Sequence, residues 1–530
     1  MHDLPFDLDW LIVGSGFGGS VSALRLAEKG YSVAILESGR RFADHELPRS
    51  AWAARKFLWW PKLGLHGILR ITRLKDVTIL SGRGVGGGSL VYAATLYRPP
   101  GSFYEHKQWG GLRAWESELA PHYDTAERML GVTEVPFDSP ADRWLKEIGE
   151  HLGCAQTFQK TRVGVYFGTP GETVEDPYFG GAGPARTGCV RCGSCMLGCP
   201  RGAKNTLVRN YLYLAEKLGA RVRASRTVVS IKPLGAADGS DGYEVIHERT
   251  GAWWRRDRQT LRAKGVVLSA GALGTNELLA RCKLAGDLPR LSPHLGELVR
   301  TNSETMLAVT MPGDPHLTES LSITGSVYPD SHSHIEAVML GPDMDAFAYN
   351  YGPLVGEGNR LTRPLKGLLA ALRHPVQGIG HMIRPGGFGR RTLLVGWMQA
   401  VESAIAFVAK RSLFGGVRLQ SRLDPSRPLT KFFPVLNEMA QWLAKRTGGV
   451  ARSSLFDVLF NTPTTAHILG GAVIGRDEHC GVVNARQEVF GYRNMLICDG
   501  SVVPANPGVN PSLTITAMTE LAMSHVPARP

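Results

Sequence analysis

The chain has 530 residues, too many for one ordinary domain, and its 43% hydrophobic against 20% charged residues is the balance of a protein with a sizeable packed core. Lys and Arg number 60 against 47 Asp and Glu, a net charge of +13. That surplus suits an anionic membrane or an anionic ligand; no nucleic-acid motif accompanies it, so nucleic acid is not an expected partner. No long uninterrupted apolar run reads as a membrane span, an apolar run already beginning at position 9 leaves no room for a cleavable signal peptide, and the unevenly spread cysteines are not the framework of a secreted scaffold. The expectation is a cytoplasmic protein.

In chain order, residues 9–37 come first, reading DWLIVGSGFGGSVSALRLAEKGYSVAILE. An apolar strand from Trp10 to Val13 runs into Gly14, Gly16 and Gly19, then helical spacing at Val21, Leu24 and Leu26, and a second strand that finishes on Glu37. Gly14 allows a tight turn, Gly16 admits a pyrophosphate against the backbone, and Gly19 lets helix and strand pack closely. The helix N-terminus adds free N–H groups and a positive dipole end. Glu37, eighteen residues after Gly19, is placed to accept both ribose hydroxyls, which points to FAD or NAD rather than NADP.

Residues 51–75 carry six Lys or Arg, three Trp and no acid. Such a mixture suits a helix lying on an anionic membrane surface, or a solvated basic rim over an ordinary core helix. Residues 81–98 follow, with glycine at 82, 84, 86, 87 and 88 and then Ser89. A loop so nearly free of side chains, here Gly86, Gly87, Gly88 and Ser89, can lie flat against a planar ring system; the bland alternative is a flexible linker.

Cys189, Cys192, Cys195 and Cys199, followed by Pro200, have the C-x2-C-x2-C-x3-C-P spacing of bacterial ferredoxins, which fits a [4Fe–4S] cluster. The fourth ligand would be Cys199 or a remote cysteine. Zinc fits less well, because its cysteine pairs are usually separated by a longer insert; structural packing or metal-free thiol chemistry is the remaining option. A helix is predicted from Thr206 to Leu218 and a strand from Arg221 to Ile231. Residues 265–279 read as a buried strand, a small-residue turn and a helix. Residues 361–391 form a second acid-free basic and apolar stretch, broken by prolines. Near the C-terminus a strand ends on Asp499-Gly500, and Asn510-Pro511 opens a helix beginning near Ser512.

These segments, in this order, resemble the glucose–methanol–choline oxidoreductases, most closely their cholesterol oxidase-like branch. The resemblance rests on Gly14, Gly16 and Gly19, on the loop from Gly82 to Ser89, on Ser269-Ala270-Gly271, on His467 in TTAHILGG and on Asn510 in GVNPS. It spans residues 9 to about 519 and is sparse between about 300 and 455. It implies an α/β fold: a discontinuous Rossmann-like FAD-binding domain from 1–100, 200–300 and 460–530, and a mixed α+β substrate domain from 101–199 and 301–459 with an antiparallel sheet and helices covering the flavin face. It implies FAD as cofactor, noncovalent because Ser89-Leu90 offers no histidine for attachment, with Val228 at the adenine.

It also assigns His467 as the base taking the hydroxyl proton and Asn510 as the group holding the alcohol oxygen. The implied substrate is a bulky hydrophobic alcohol, most plausibly a 3-hydroxysteroid, with oxygen or an electron carrier as acceptor; the basic and apolar stretches 51–75 and 361–391 suit peripheral contact with the inner face of the membrane. Ile468, Ala472 and Tyr92 depart from the cholesterol oxidase pattern of proline, cysteine and asparagine. A steroid isomerase step would need a pocket carboxylate, for which Glu336 and Glu402 are candidates. Two other readings stand beside this one: an iron–sulfur flavoprotein reducing or isomerising an activated alkene, and a non-redox FAD lyase or lipid-binding protein.

Overall fold

The computed structural model describes residues 6–411 and 416–530. Strand β1 (Leu8–Val13) is buried and apolar, and β2 (Val33–Leu36) pairs parallel to it. Between them α1 (Phe17–Glu28) is buried almost all round, as expected where sheet and helices enclose it. It packs on the helices Tyr211–Lys217 and Ser512–Ser524. Arg25 ties the three together: Nε and one terminal nitrogen donate to the two oxygens of Glu520 at 2.7 and 2.8 Å, and the Tyr211 hydroxyl donates to the same carboxylate at 2.6 Å.

Seven strands form this first sheet, in the order Arg221–Arg223, β2, β1, Gln259–Leu268, Tyr243–Arg249, Arg226–Pro233, with Met495–Ile497 also on Gln259–Leu268. The long strand Gln259–Leu268 is shared. Its first half pairs antiparallel with Tyr243–Arg249, and its last three residues pair parallel with Met495–Ile497. The single strand predicted for 221–231 is two. Ser225 takes a left-handed φ of 57°, so Arg221–Arg223 stays on the parallel edge while Arg226–Pro233 turns into an antiparallel hairpin. The helix predicted from 206 likewise breaks at Asn210 into a 3-10 turn and Tyr211–Lys217.

A second seven-stranded sheet is antiparallel throughout, in the order Tyr351–Pro353, Val450–Ser454, Thr305–Thr310, Thr392–Gln399, Ser333–Met339, Ile323–Val327, Gln159–Lys160. Alternation along its strands separates two faces. Val309, Ile335 and Val395 pack against helices Pro140–His151 and Pro434–Thr447, whereas Met306, Glu336, Val338 and Leu394 line a cavity between the sheets. Helices Pro140–His151 and Pro434–Thr447 therefore cover the face of the sheet turned away from the cavity. A short third sheet, Thr464–Thr465, Thr78–Gly82 and Leu69–Arg73, joins the two. Among the described residues no helix is long and apolar enough to cross a membrane.

The glycine turn after β1 shows two kinds of constraint. Gly14 has φ +98°, and a Cβ there would sit 2.3 Å from the Ser269 carbonyl oxygen; a Cβ on Gly19 would sit 2.0 Å from that of Gly14. A Cβ on Gly16 would meet nothing within 4 Å, because it points into the cavity. Gly19→Ala is therefore expected to destabilise the cofactor-free protein by about 1–3 kcal/mol through overpacking, whereas Gly16→Ala leaves it unchanged. Denaturant unfolding of the two apo variants checks this; equal midpoints would contradict it.

Candidate active site

The cavity between the sheets measures about 1360 Å³. One end lies against the first sheet, where Gly14, Gly16 and Glu37 line it with Val228 and Thr227; farther along are Gly87, Gly88, Asp499 and Gly500. Helix α1 begins at Gly16 with no side-chain cap, so its first N–H groups are free for an anion. Glu37 is buried, accepting from Ser15 N (3.1 Å), Ser15 Oγ (2.9 Å) and Gly39 N (2.8 Å). These bonds fix the carboxylate at the cavity wall. The uncapped helix, the open space over Gly16 and the carboxylate at the end of β2 fit a dinucleotide.

Not every predicted residue faces that space. Gly19 sits under the turn. Gly86, with φ 104°, and Ser89 lie behind Gly87 and Gly88 and hold the loop: the Ser89 hydroxyl donates to Gly86 O at 2.7 Å and accepts from Leu207 N at 3.1 Å. Asp499 accepts from Ser501 N and from Gly271 N and Thr275 Oγ1, at 2.8, 2.9 and 2.5 Å, joining the end of Met495–Ile497 to helix Gly271–Ala285. Burial pushes its carboxyl up, despite these bonds.

His467 and Asn510 also line the cavity. Thr465 pairs with Ile79 in the short sheet that leads into the glycine loop, so one element positions both the loop and His467. Asn510 comes from the turn before Ser512–Ser524 and donates through Nδ2 to His467 Nε2 at 3.3 Å. Its Oδ1 is buried without a partner among the described residues, an acceptor left for a ligand. Glu304, the residue before strand Thr305–Thr310, accepts from His467 Nδ1 and from Ala466 N through its two oxygens. Burial disfavours a charged His467, but Glu304 and then Glu336 outweigh it and hold the imidazole above its ordinary value. Glu304 carries no sequence signal: its partner lies 163 residues away.

Of the two candidate pocket carboxylates, Glu336 lines the cavity and Glu402 does not. Glu336 is 3% exposed, its Oε1 has no hydrogen-bond partner among the described residues, and burial pushes its carboxyl up to about 7 against the pull of His467 and Asn510. Glu402 belongs to an ion network with Arg300 (2.9 Å), His106 (2.6 Å) and Arg427 (2.9 Å). Burial works to raise its carboxyl, yet Arg300 and His106 bring it down to about 2.

The cysteine run needs a correction. Among the described residues no group of three or more His, Cys, Asp or Glu side chains is placed to hold one metal ion. Cys189 and Cys195 turn instead into an apolar cluster with Ala94, Val163, Val165 and Leu321, and Cys199 packs against it; Gly193, Gly198 and Cys199 take left-handed backbone. Burial pushes the thiols of Cys189 and Cys195 up to about 12 and about 11. Cys192 and Cys199 are only partly buried. Buried Lys204 clamps the run to the glycine loop, donating to Cys195 O (2.8 Å), Leu90 O (3.1 Å) and Tyr92 O (3.1 Å). The Tyr92 ring lies at the cavity wall and its hydroxyl donates to Asn205 O at 2.9 Å.

The helix predicted for 51–75 is also absent. The segment forms a four-residue helix and short strands, and Phe57, Trp59 and Arg70 wall the cavity.

Comparison with known proteins agrees with this geometry. A family model described as FAD dependent oxidoreductase matches residues 9–391, and one described as GMC oxidoreductase matches residues 398–519. The chain is 46% identical to a cholesterol oxidase of Mycobacterium tuberculosis over 98% of this chain and 91% of that one. It is 43% identical to a cholesterol oxidase of Acinetobacter baumannii over 99% and 95%. The crystal structure of pyridoxine 4-oxidase from Mesorbium loti superposes with a TM-score of 0.63 at 16% identity, covering 98% of this chain and 99% of the other, and so shares the fold. The chain belongs to the FAD-dependent GMC oxidoreductases.

Proposed function

We propose that the protein oxidises the hydroxyl of a bulky hydrophobic alcohol, a 3-hydroxysteroid such as cholesterol, and passes the electrons to oxygen. The observation that carries this reading is the His467–Asn510 pair opening onto a large cavity whose other wall is apolar sheet. The cholesterol oxidases that this chain resembles support the substrate class.

FAD would be held noncovalently, its pyrophosphate at Gly14 and Gly16, its ribose on Glu37, its adenine beside Val228 and its flavin over Gly87 and Gly88. When bound it supplies a hydride acceptor. His467 then takes the hydroxyl proton on Nε2 and Asn510 holds the alcohol oxygen. Met306, Val338 and Leu394 exclude water and pack the hydrocarbon. Glu336, poised near neutrality by burial, is the carboxylate suited to moving a proton in a steroid double-bond shift.

Delivery of so insoluble a substrate falls to helices Thr362–Arg373 and Pro375–Ile383. They expose Leu361, Leu365, Leu368, Leu372, Val376 and Ile383 together with Lys366, Arg373 and Arg384, with no acidic residue between Glu357 and Glu402. An apolar face with a basic fringe suits an anionic bilayer. The pair packs on strand Tyr351–Pro353 and helix Leu455–Phe460, and Tyr351 and Asp457 line the cavity, so a sterol leaving the bilayer would enter directly.

Anaerobic addition of a 3-hydroxysteroid is expected to bleach the visible flavin absorbance, and His467→Ala to slow this about 100- to 10,000-fold with FAD retained; full-rate bleaching in the variant would remove the base role. Because His467 must be neutral to accept a proton, the rate should rise with pH through an inflexion above the ordinary histidine value. Glu336→Gln should release the unshifted 3-ketone as product; a fully isomerised product would show that another group moves the proton. Leu368→Asp combined with Leu372→Asp should abolish co-sedimentation with phosphatidylglycerol vesicles while leaving turnover of detergent-dispersed sterol unchanged. Equal sedimentation of both proteins would place membrane contact elsewhere.

A further inference from the structure

We infer that Glu304 is the positioning residue of the reaction: it fixes the tautomer and orientation of His467 and balances the charge that His467 acquires. The inference rests on the reading of His467 as the base.

The Glu304 side chain is 6% exposed, and both of its oxygens are used on one side, by His467 Nδ1 and by the backbone N–H of Ala466. A carboxylate facing Nδ1 requires a proton there. Nε2 then carries the lone pair, facing Asn510 Nδ2 and the cavity. The other tautomer would set a lone pair against the carboxylate and turn an N–H toward the Asn510 amide. When Nε2 takes a hydroxyl proton, it gives up the hydrogen bond from Asn510 Nδ2, and the imidazolium forms against a carboxylate already aimed at it from the Nδ1 side.

The backbone around Glu304 is held for this aim. Arg300 and Leu469 exchange backbone hydrogen bonds at 2.8 and 2.9 Å, and the Thr465 hydroxyl donates to Thr301 O at 3.1 Å. Asn302 receives from Gly508 N (2.9 Å), donates to Val509 O (3.1 Å) and donates its own N–H to Asn506 Oδ1 (2.9 Å). Asn302 and Ser303 sit at φ 58° and 43°, a conformation that costs non-glycine residues energy and persists where surroundings over-determine it. Glu336 faces the same imidazole from another strand, but its Oε1 has no partner. The two carboxylates thus have separate tasks, and only Glu304 touches His467. The raised affinity of His467 for protons agrees with this arrangement.

Glu304→Gln keeps the shape but offers one acceptor to two donors. In the holoenzyme, with flavin content unchanged, the limiting rate of anaerobic flavin reduction by a 3-hydroxysteroid should fall on the order of 100-fold. Its pH inflexion should move down, and Glu304→Asp should recover part of both. An unchanged limiting rate and inflexion in Glu304→Gln would overturn the inference. A second readout is independent of substrate: ¹⁵N spectra of histidine-labelled holoenzyme, with His467 assigned by its loss in His467→Ala. The wild type should show the Nδ1–H tautomer and Glu304→Gln a mixture. If no alcohol bleaches the flavin, the proposed function fails while these spectra still decide the role of Glu304. If Glu304→Gln does not fold, the wild-type titration decides: an Nε2–H tautomer or an ordinary pKa for His467 overturns the inference.

Discussion

Residues 299–304 are the constraint on which the rest of the site depends. This buried segment pairs with Leu469 on one side, engages residues 504–509 through Arg300 and Asn302 on another, and ends on the carboxylate facing His467. It also begins the second sheet, whose first long strand follows at Thr305. A single turn therefore holds the start of the antiparallel sheet against Leu469 and the segment 504–509. If it slipped, Glu304, His467 and Asn510 would lose their common geometry together. Two residues in left-handed conformation are tolerable there because hydrogen bonds hold the backbone from both sides.

The same economy governs charge. Glu304, Glu336 and Glu402 share a side chain but not an environment. Glu402, held among arginines and a histidine, is a structural anion down at about 2. Glu336, buried without a partner for one oxygen, is held up at about 7. Glu304 is aimed at an imidazole whose protonated form it favours. Burial and pairing act in opposite directions on a carboxyl group, and their local balance sets the three side chains apart. Lys204 shows a related balance: burial brings its amine down to about 8, yet three carbonyls keep it as a clamp between the glycine loop and the cysteine run.

How much of this was legible from sequence follows from how local each signal is. The β1–α1–β2 unit was readable because glycine spacing, apolar period and the terminal acid all fall within 29 residues, 9–37. His467 and Asn510 were reached through family resemblance, since a histidine and an asparagine 43 residues apart announce nothing by themselves. Glu304 was invisible for the same reason, more strongly. The cysteine run shows that ligand spacing is only a permissive condition: among the described residues the side chains form no group that could hold one metal ion, and two of the thiols sit in an apolar cluster. Residues 51–75 misled because basic and aromatic composition fits a cavity wall as well as an amphipathic helix. The single strand expected across Ser225 failed because nothing in the side chains marks a left-handed turn at serine.

The cavity joins these parts into one functional claim: a hydride leaves the carbinol carbon of a bulky alcohol while His467 takes the hydroxyl proton. The most direct test mixes the holoenzyme anaerobically with a 3-hydroxysteroid carrying deuterium in place of hydrogen at the carbinol carbon. The account predicts that flavin absorbance falls in a single turnover and that deuterium slows this fall severalfold. Flavin that stays oxidised with the steroid bound would contradict it.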